Sequence, residues 1–181
     1  DVGVVMDMMI HDLDIILALV GEPVVKVDAA GVAVLGEHED IANARLVFAG
    51  GCVANIAASR LALKTERKLH LISEEAYVSV DYQARRGMAI RKSANASMLE
   101  KVRGQLAAGA DLSGLSYTDL INVEQLAMDL PPGQEDPLTA QLTSFLAAVR
   151  SGETPVVDGA AGSAAVEIAQ RIVAAIEGGK V

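Results

Sequence analysis

Apolar residues change their spacing twice along the chain, which predicts a helical start, a long strand-rich stretch and a helical end. Residues 4–20 are apolar at helical spacing, and Gly21 with Pro23 just beyond it predicts where that first helix ends. Shorter runs follow in which apolar and polar positions partly alternate, a pattern typical of strands. The predicted strands span residues 24–35, 41–48, 52–63, 67–73, 77–82, 87–92 and 120–130.

Two more helices are predicted near the end of the chain, at residues 136–150 and 163–176. The first has apolar residues at a period of 3.6, namely Leu138, Leu142, Phe145, Leu146 and Val149. Short turns such as Gly50–Gly51 join the strands between the helices, and tight turns join antiparallel strands. This order predicts an α+β fold: an open, predominantly antiparallel mixed sheet with helices packed on one face, as a two-layer α/β sandwich.

Composition and charge exclude several classes of protein. The chain has 181 residues, of which 51% are hydrophobic, and this is too apolar for a disordered chain. Its longest uncharged stretch, residues 46–59, is too short to cross a membrane. The 15 basic and 24 acidic residues give a formal net charge of -9, which argues against nucleic acid as a partner. The single cysteine, Cys52, excludes an internal disulfide framework and indicates a reducing, cytoplasmic compartment.

One polar constellation stands out, and it lies on the first predicted helix. Asp7, His11 and Asp14 are spaced i, i+4 and i+7, so they share one narrow stripe of an α-helix. The rest of that helix is almost wholly apolar, which predicts that it is mostly buried. Ionisable groups on a buried helix must pair with one another, line a cleft or bind a ligand.

Three interpretations of this polar stripe remain open. A histidine beside a carboxylate can act as a general acid or base near neutral pH, with the carboxylate fixing its orientation. The same spacing occurs where a core histidine is satisfied by a neighbouring salt bridge. A metal site is the third interpretation, but the sequence offers no further strong ligand at a telling spacing.

Other residues that could carry chemistry have weaker patterns. Cys52 lies in an apolar strand pattern, which predicts a buried, inert thiol. A basic cluster is interpreted as the solvated edge of a sheet, with binding of a phosphate or carboxylate as the alternative; its members are Arg60, Lys64, Arg67, Lys68, Arg85 and Arg86. No Gly-x-Gly-x-x-Gly turn follows a strand, so the sequence predicts no dinucleotide site in this chain.

The first helix resembles the signature of the Gfo/Idh/MocA oxidoreductases. That signature is a glycine followed by Asp, His and Asp at the spacing of residues 3, 7, 11 and 14, then an apolar helix that ends near Gly-x-Pro, here residues 21–23. Residues 136–159 resemble the family's late helix and its proline-containing exit, and residues 160–176 its closing helix. Residues 67–81 are similar to its central strand pair, so the resemblance covers most of the chain.

The resemblance implies that residues 1–181 form a single domain. This would be the C-terminal substrate-binding and oligomerisation domain of an NAD(P)-dependent oxidoreductase that acts on a sugar, a polyol or a related hydroxy compound. In the family, NAD or NADP is bound mainly by an N-terminal Rossmann domain, which also carries the catalytic lysine. That domain is expected to be this chain's own partner, and the chain alone is expected to be inactive and to bind no nicotinamide cofactor.

The resemblance also implies roles for the polar stripe. Asp7 and His11 match the family's catalytic pair, in which the histidine is the usual proton acceptor for the substrate hydroxyl. Asp14 matches a third position, which binds substrate or supports the pair structurally. No metal is implied.

A non-catalytic binding or assembly domain is the alternative function. Many apolar strand residues cannot all point to one side of a sheet, so some are expected on the face that the helices leave open. We therefore expect a homodimer or tetramer that associates through this sheet. The apolar residues concerned are Val32, Val34, Ala42, Ala44, Leu46, Phe48, Val53, Ile56, Ala58 and Leu61.

Overall fold

The computed structural model describes residues 2–92, 104, 121–128 and 136–179. Contacts divide the chain into two compact units. The first consists of Asp1–Leu63 with Asp136–Val181, and the second is Lys64–Glu135. The polar stripe of Asp7, His11 and Asp14 lies in the first unit.

The first unit contains three strands and three helices among its described residues. A π-helical turn, Val5–Met9, leads directly into the first α-helix. In chain order the elements are α1 (Ile10–Val20), β1 (Val24–Val32), β2 (Ile41–Phe48), β3 (Val53–Ser59), α2 (Pro137–Ser151) and α3 (Gly159–Gly178). Each coincides with a predicted element, and the boundaries of β2 are those that the sequence predicts.

The ends of the helices follow local chemistry. α1 ends at Gly21, whose left-handed φ of 66° is accessible to glycine without a steric penalty, and the Gly21 N–H donates to the Leu17 carbonyl at 2.9 Å. At the start of α3 the Asp158 carboxylate accepts the Ala161 N–H at 2.8 Å. This cap explains why α3 begins at Gly159, earlier than the pattern of apolar residues predicts.

Strands β1, β2 and β3 form an antiparallel sheet in that order. Ala44 pairs with Ala29 on one side and with Ile56 on the other, so these three residues share a face. α1 and α3 cover this face and form the core together with it. The buried members are Val4, Val5, Met9, Leu13, Ile16, Ala42, Ala44, Leu46, Phe48, Ile56, Ala58, Ile168, Ala169, Ile172 and Ile176.

The second unit contains a sheet of four strands. These are β4 (Lys68–Ile72), β5 (Ala76–Asp81), β6 (Arg86–Lys92) and β7 (Ile121–Ala127), and they pair antiparallel in sequence order. His70 and Tyr77 stack on neighbouring strands, with 2.7 Å between the imidazole Nδ1 and the phenol oxygen. Residues 120, 129 and 130, which the sequence assigns to the last strand, lie outside the described residues.

The α+β class and the antiparallel pairing are confirmed, with the strands divided between a three-stranded and a four-stranded open sheet. α1 and α3 pack on one face of the first sheet, as predicted. α2 differs from the expectation for the three helices, because none of its residues is buried. Its apolar face is exposed along the whole helix.

Candidate active site

The polar stripe lies on the outer face of the first helix. Val5, Met9 and Leu13 point into the core, whereas Asp7 and His11 are exposed and Asp14 is half-buried. The expectation that this helix is mostly buried therefore holds only for its core-facing side, because the core of the first unit needs only one side of the helix. Exposure of His11 also removes the interpretation in which it is a satisfied core histidine.

Asp7 lies within the π-helical turn rather than in regular α-helix. The Ile10 N–H donates to the carbonyl of Val5, which is the i to i−5 bond of a π turn. A π turn holds more residues than an α turn, so the uniform α-helical spacing assumed for the stripe does not hold between Asp7 and His11. Single π turns inside α-helices are frequent at functional sites.

The carboxylate of Asp7 is paired with an arginine that is distant in sequence. Arg60 follows the end of β3, and its Nη2 lies 3.4 Å from Asp7 Oδ2. The side chain of Asp7 is 56% exposed and that of Arg60 is 28% exposed. An ion pair this open to water contributes little stability.

Arg60 also contacts Val2, which precedes Asp7 in sequence, and Asp40, in the turn before β2. Its Nη2 donates to the carbonyl oxygen of Val2 at 2.8 Å, and its Nη1 lies 3.8 Å from Asp40 Oδ1. Its backbone N–H donates to the Asp40 carbonyl at 3.0 Å. Arg60 thus joins the start of the chain, the turn before β2 and the polar stripe.

Asp40 is the buried anchor of this arrangement, with a side chain only 4% exposed. Its Oδ2 accepts the backbone N–H groups of Leu35 and Val34, each at 2.8 Å. These two bonds, with the smaller effect of the Arg60 charge, hold the pKa of Asp40 below its ordinary value, against the opposing effect of desolvation. Asp40 is therefore a fixed negative charge at neutral pH.

Glu39 fastens the same turn to the start of the site helix. Its backbone carbonyl accepts the Val4 N–H at 2.8 Å, and its carboxylate accepts the Val5 N–H at 3.1 Å. A side chain at Gly3 would displace this carboxylate from the Val5 N–H, so glycine here leaves room for the contact. The turn before β2 therefore sets the position of the π turn through both Glu39 and Asp40.

His11 and Asp14 form no hydrogen bond or ion pair with any residue that the structure describes. A solvent-facing imidazole can exchange protons with a molecule placed against the helix. The outer face of the helix thus presents a proton-transfer group one turn beyond an oriented carboxylate. This combination can remove a proton from a substrate hydroxyl.

The described residues do not fit the pyrophosphate of a nicotinamide cofactor. Such groups bind at helix N-termini, where free N–H groups and the helix dipole favour an anion. Carboxylates of this chain already bind the N–H groups at those positions in the described helices. Glu39 does so at the start of the π turn that leads into α1, Asp136 at the start of α2 and Asp158 at the start of α3. An added phosphate would meet a negative charge at each end.

Two further findings concern metals and membranes. No group of three His, Cys, Asp or Glu side chains that could hold a metal ion occurs in the part of the chain that the structure describes. No helix among the same residues has both the length and the apolar content needed to span a bilayer.

The other candidates from the sequence, Cys52 and the basic cluster, do not form a common site among the described residues. Cys52 is exposed, so the expectation of a buried thiol is wrong; the residue precedes β3 rather than lying within it. Lys64 and Lys68 both pair with Glu66, at 2.9 and 3.3 Å, in the second unit. Arg60, in the first unit, binds the carboxylates of the candidate site.

Sequence reasoning found Asp7, His11 and Asp14 but missed Glu39, Asp40 and Arg60 as site residues. The basic cluster that contains Arg60 was visible, yet nothing in the sequence pattern links residue 39, 40 or 60 to the first helix. The link is tertiary: Arg60 is 53 positions from Asp7, and only the packing of the strands against the helix brings the two together.

Comparison with known proteins agrees with the family resemblance. Residues 1–79 match the model of the GFO/IDH/MocA C-terminal domain. The UDP-N-acetylglucosamine 3-dehydrogenase of Acidithiobacillus ferrooxidans is 32% identical over 177 residues, which are 98% of this chain and 50% of the relative. The chain thus spans about half the length of the curated relative that it matches.

Solved structures share the fold. A structure of the Acidithiobacillus ferrooxidans enzyme has a TM-score of 0.78 at 29% identity, covering 98% of this chain and 50% of that one. An aldose-aldose oxidoreductase from Caulobacter crescentus, complexed with glycerol, has a TM-score of 0.70 at 22% identity, covering 98% and 46%. A levoglucosan dehydrogenase with NADH and levoglucosan has a TM-score of 0.73 at 17% identity, covering 97% and 48%. At these identities the last two show the fold alone.

Proposed function

We propose that this chain, whose residues 1–79 match the model of the GFO/IDH/MocA C-terminal domain, supplies the substrate side of an NAD(P)-dependent oxidoreductase. The substrate would be a sugar, a polyol or a related hydroxy compound. The observation that carries the proposal is the exposed stripe of Asp7 and His11, with the Asp7 carboxylate paired to Arg60. The likeness to a sugar-nucleotide dehydrogenase along 98% of the chain supports it.

In the proposed reaction His11 accepts the hydroxyl proton of the substrate while the neighbouring C–H bond gives up its hydride, so that an alcohol becomes a carbonyl. A nicotinamide cofactor held by another part of the protein would supply the hydride acceptor, and the hydride carries both electrons of the broken C–H bond. Asp7 orients the substrate hydroxyl or the imidazole, and Asp14 lines the same face. Because the stripe is exposed, a substrate held against it can meet a cofactor bound by another part of the protein.

The cofactor would be bound outside this chain. Carboxylates at the described helix N-termini leave no place for its pyrophosphate, so the chain on its own would be inactive. The partner would be an N-terminal Rossmann domain of the same protein. A cytoplasmic enzyme fits this proposal, because nicotinamide cofactors are abundant there and the exposed Cys52 is free.

Replacing His11 in the full-length enzyme tests the proposal. Loss of a general base typically lowers turnover by about 10²- to 10⁴-fold. We expect His11→Ala to lower kcat by an amount in this range and to leave cofactor affinity, measured by fluorescence titration of the reduced cofactor, nearly unchanged. His70→Ala is the matched control, since His70 is also exposed but lies on β4, paired with Tyr77. Near-normal turnover of His11→Ala would remove His11 from the catalytic role.

We propose assembly through the first sheet as a second function of the same chain. The face opposite α1 and α3 carries the exposed apolar residues Val32 and Val53 at its ends. Its centre is polar and of both signs: Lys26 pairs with Asp28 at 2.7 Å, and Arg45 Nη1 donates to Asn55 Oδ1 at 2.9 Å. A surface with both charges can match a second copy of itself about a two-fold axis.

Sedimentation equilibrium of the chain tests the assembly proposal. We expect a mass about twice 18.8 kDa at micromolar concentration, and a mass near 18.8 kDa for Val53→Asp. Val156→Asp is the control, because Val156 is exposed but lies in the connection between α2 and α3. A wild-type mass that stays near 18.8 kDa across a wide concentration range would contradict assembly through this face.

A further inference from the structure

We infer that Arg60 is a positioning residue that fixes the carboxylate of Asp7 for the reaction, with Asp40 holding Arg60 in place from behind. The inference rests on the proposed function, because it assigns a role through Asp7. It adds a part that neither the family signature nor the stripe on the first helix contains, since Arg60 lies outside both.

The geometry of the guanidinium supports this role. Its Nη2 is shared between the Val2 carbonyl at 2.8 Å and Asp7 Oδ2 at 3.4 Å, while Nη1 faces Asp40 Oδ1 at 3.8 Å. A planar, delocalised cation that touches three acceptors in fixed directions has few orientations open to it. Arg60 therefore approaches Asp7 from one side and leaves the other side of the carboxylate free.

The two carboxylates beside Arg60 differ in exposure, and this difference decides which of them holds Arg60 and which is positioned by it. Asp40 is 4% exposed and bound to two backbone N–H groups, whereas Asp7 is 56% exposed. A buried charge without a partner is costly, so Arg60 stays with Asp40. Asp7 is then the group whose orientation Arg60 determines, and not the reverse.

Orientation matters at Asp7 because the residue lies in a π turn on an open surface. A solvent-exposed aspartate without a partner samples several rotamers and faces water in most of them. The bond to Arg60 selects the rotamers that turn the carboxylate towards β3, and the turn around Glu39 fixes the backbone beneath it. A carboxylate held in this way loses less conformational entropy when the substrate binds.

A double-mutant cycle in the full-length protein, with UDP-N-acetylglucosamine, the substrate named for the curated relative, and NAD⁺ as the probes, tests the inference. The variants are Arg60→Gln, Asp7→Asn and the double variant. Residues that act through one another are non-additive, so we expect Arg60→Gln to lower kcat/KM by roughly 10-fold in the wild type and by less than about 2-fold in Asp7→Asn. A purely structural arginine would lower kcat/KM by the same factor in both backgrounds, and this result would overturn the inference.

Two further variants keep the test decisive. Arg60→Lys retains the charge and takes the place of Arg60→Gln if the glutamine variant does not fold; its smaller loss should also vanish in Asp7→Asn. Arg171→Gln is the matched control, because Arg171 is another partly buried arginine of the same unit whose guanidinium donates to a backbone carbonyl, that of Val24 at 3.1 Å. We expect this control to lower thermal stability without a dependence on Asp7.

Failure of the inference can be told from failure of the proposed function. Wild-type turnover in Asp7→Asn and His11→Ala would contradict the proposed function itself. Impaired turnover in both, together with wild-type kinetics in Arg60→Gln, would contradict the role of Arg60 alone. If Asp7→Asn is too slow for steady-state kinetics, substrate affinity by calorimetry, with cofactor present, closes the cycle.

Discussion

Helices α2 and α3 begin in the same way but differ in burial: α2 is exposed, whereas α3 is partly buried in the core. Each starts after an aspartate whose carboxylate accepts the N–H three residues on, Asp136 from Thr139 and Asp158 from Ala161, both at 2.8 Å. Each carries an apolar stripe at helical spacing. Yet five residues of α3 are buried and none of α2 is. An amphipathic pattern thus predicts that a helix forms, and its burial depends on what the rest of the protein provides.

α3 is buried because it fits the first sheet closely. Ala165 and Ala169 are buried, and their small side chains allow close approach of the helix to its neighbours, α1 and β1. Arg171 ties the helix to β1 through the Val24 carbonyl. α2 has larger apolar residues instead, all of them at least half exposed or close to it: Leu138, Leu142, Phe145, Leu146 and Val149.

The largest effect that separates the two helices is expected at Ile172 of α3. This residue is fully buried in the core, so Ile172→Ala removes apolar contacts and leaves a cavity. We expect the free energy of unfolding to fall by about 3 kcal/mol. Urea denaturation followed by circular dichroism measures it. A loss below about 1 kcal/mol would mean that α3 does not form the core that the structure gives it.

The fold was largely predictable because its signals are local. Alternation in β2 puts Ala42, Ala44 and Leu46 on one face, and the structure buries all three. Gly51, with φ of 89°, makes the predicted turn before β3. Gly21 ends α1 for the same local reason. The strands divide between two sheets, and this could not be foreseen, because the assignment of strands to sheets depends on long-range packing.

The candidate site was only partly predictable. The spacing of Asp7 and His11 is visible in the sequence, but the π turn that changes their relative direction is not. Asp40 and Arg60 show only as ordinary charges, because their importance arises from a contact made after the strands have paired. The first helix was expected to be mostly buried, whereas the stripe on it is open to water, since an apolar pattern gives no sign that only one face of the helix is used.

The N-terminal cap of α2 is expected to make the stability of that helix depend on pH, and this effect is smaller than that of truncating Ile172. Bonds from the Thr139 hydroxyl and N–H lower the pKa of Asp136 from its ordinary value of 3.8. A lowered folded-state pKa means that the cap stabilises fully above the unfolded value and is lost as the pH falls through the folded one. We therefore expect the helical circular dichroism signal at about 222 nm to weaken on acidification below about pH 4.

Asp136→Asn is the control for this titration, because asparagine also caps helices but does not ionise. We expect its helical signal to change less than that of the wild type over the same acidic range. Equal acid losses in both proteins would show that the cap of α2 has no part in the pH dependence.

The smallest effect is expected at Leu142, on the exposed face of α2. Leu142 is 54% exposed in the chain, so Leu142→Ala removes few contacts, and alanine is the better helix former. We expect a change within about ±0.5 kcal/mol in the free energy of unfolding of this chain, measured in urea beside Ile172→Ala. The same substitution in the full-length protein sharpens the comparison: a loss of about 2 kcal/mol or more there would mean that the rest of the protein covers α2 as the sheet covers α3. A loss of that size already in the 181-residue chain would contradict the exposed position of the helix, because only a buried leucine leaves a cavity when it is truncated.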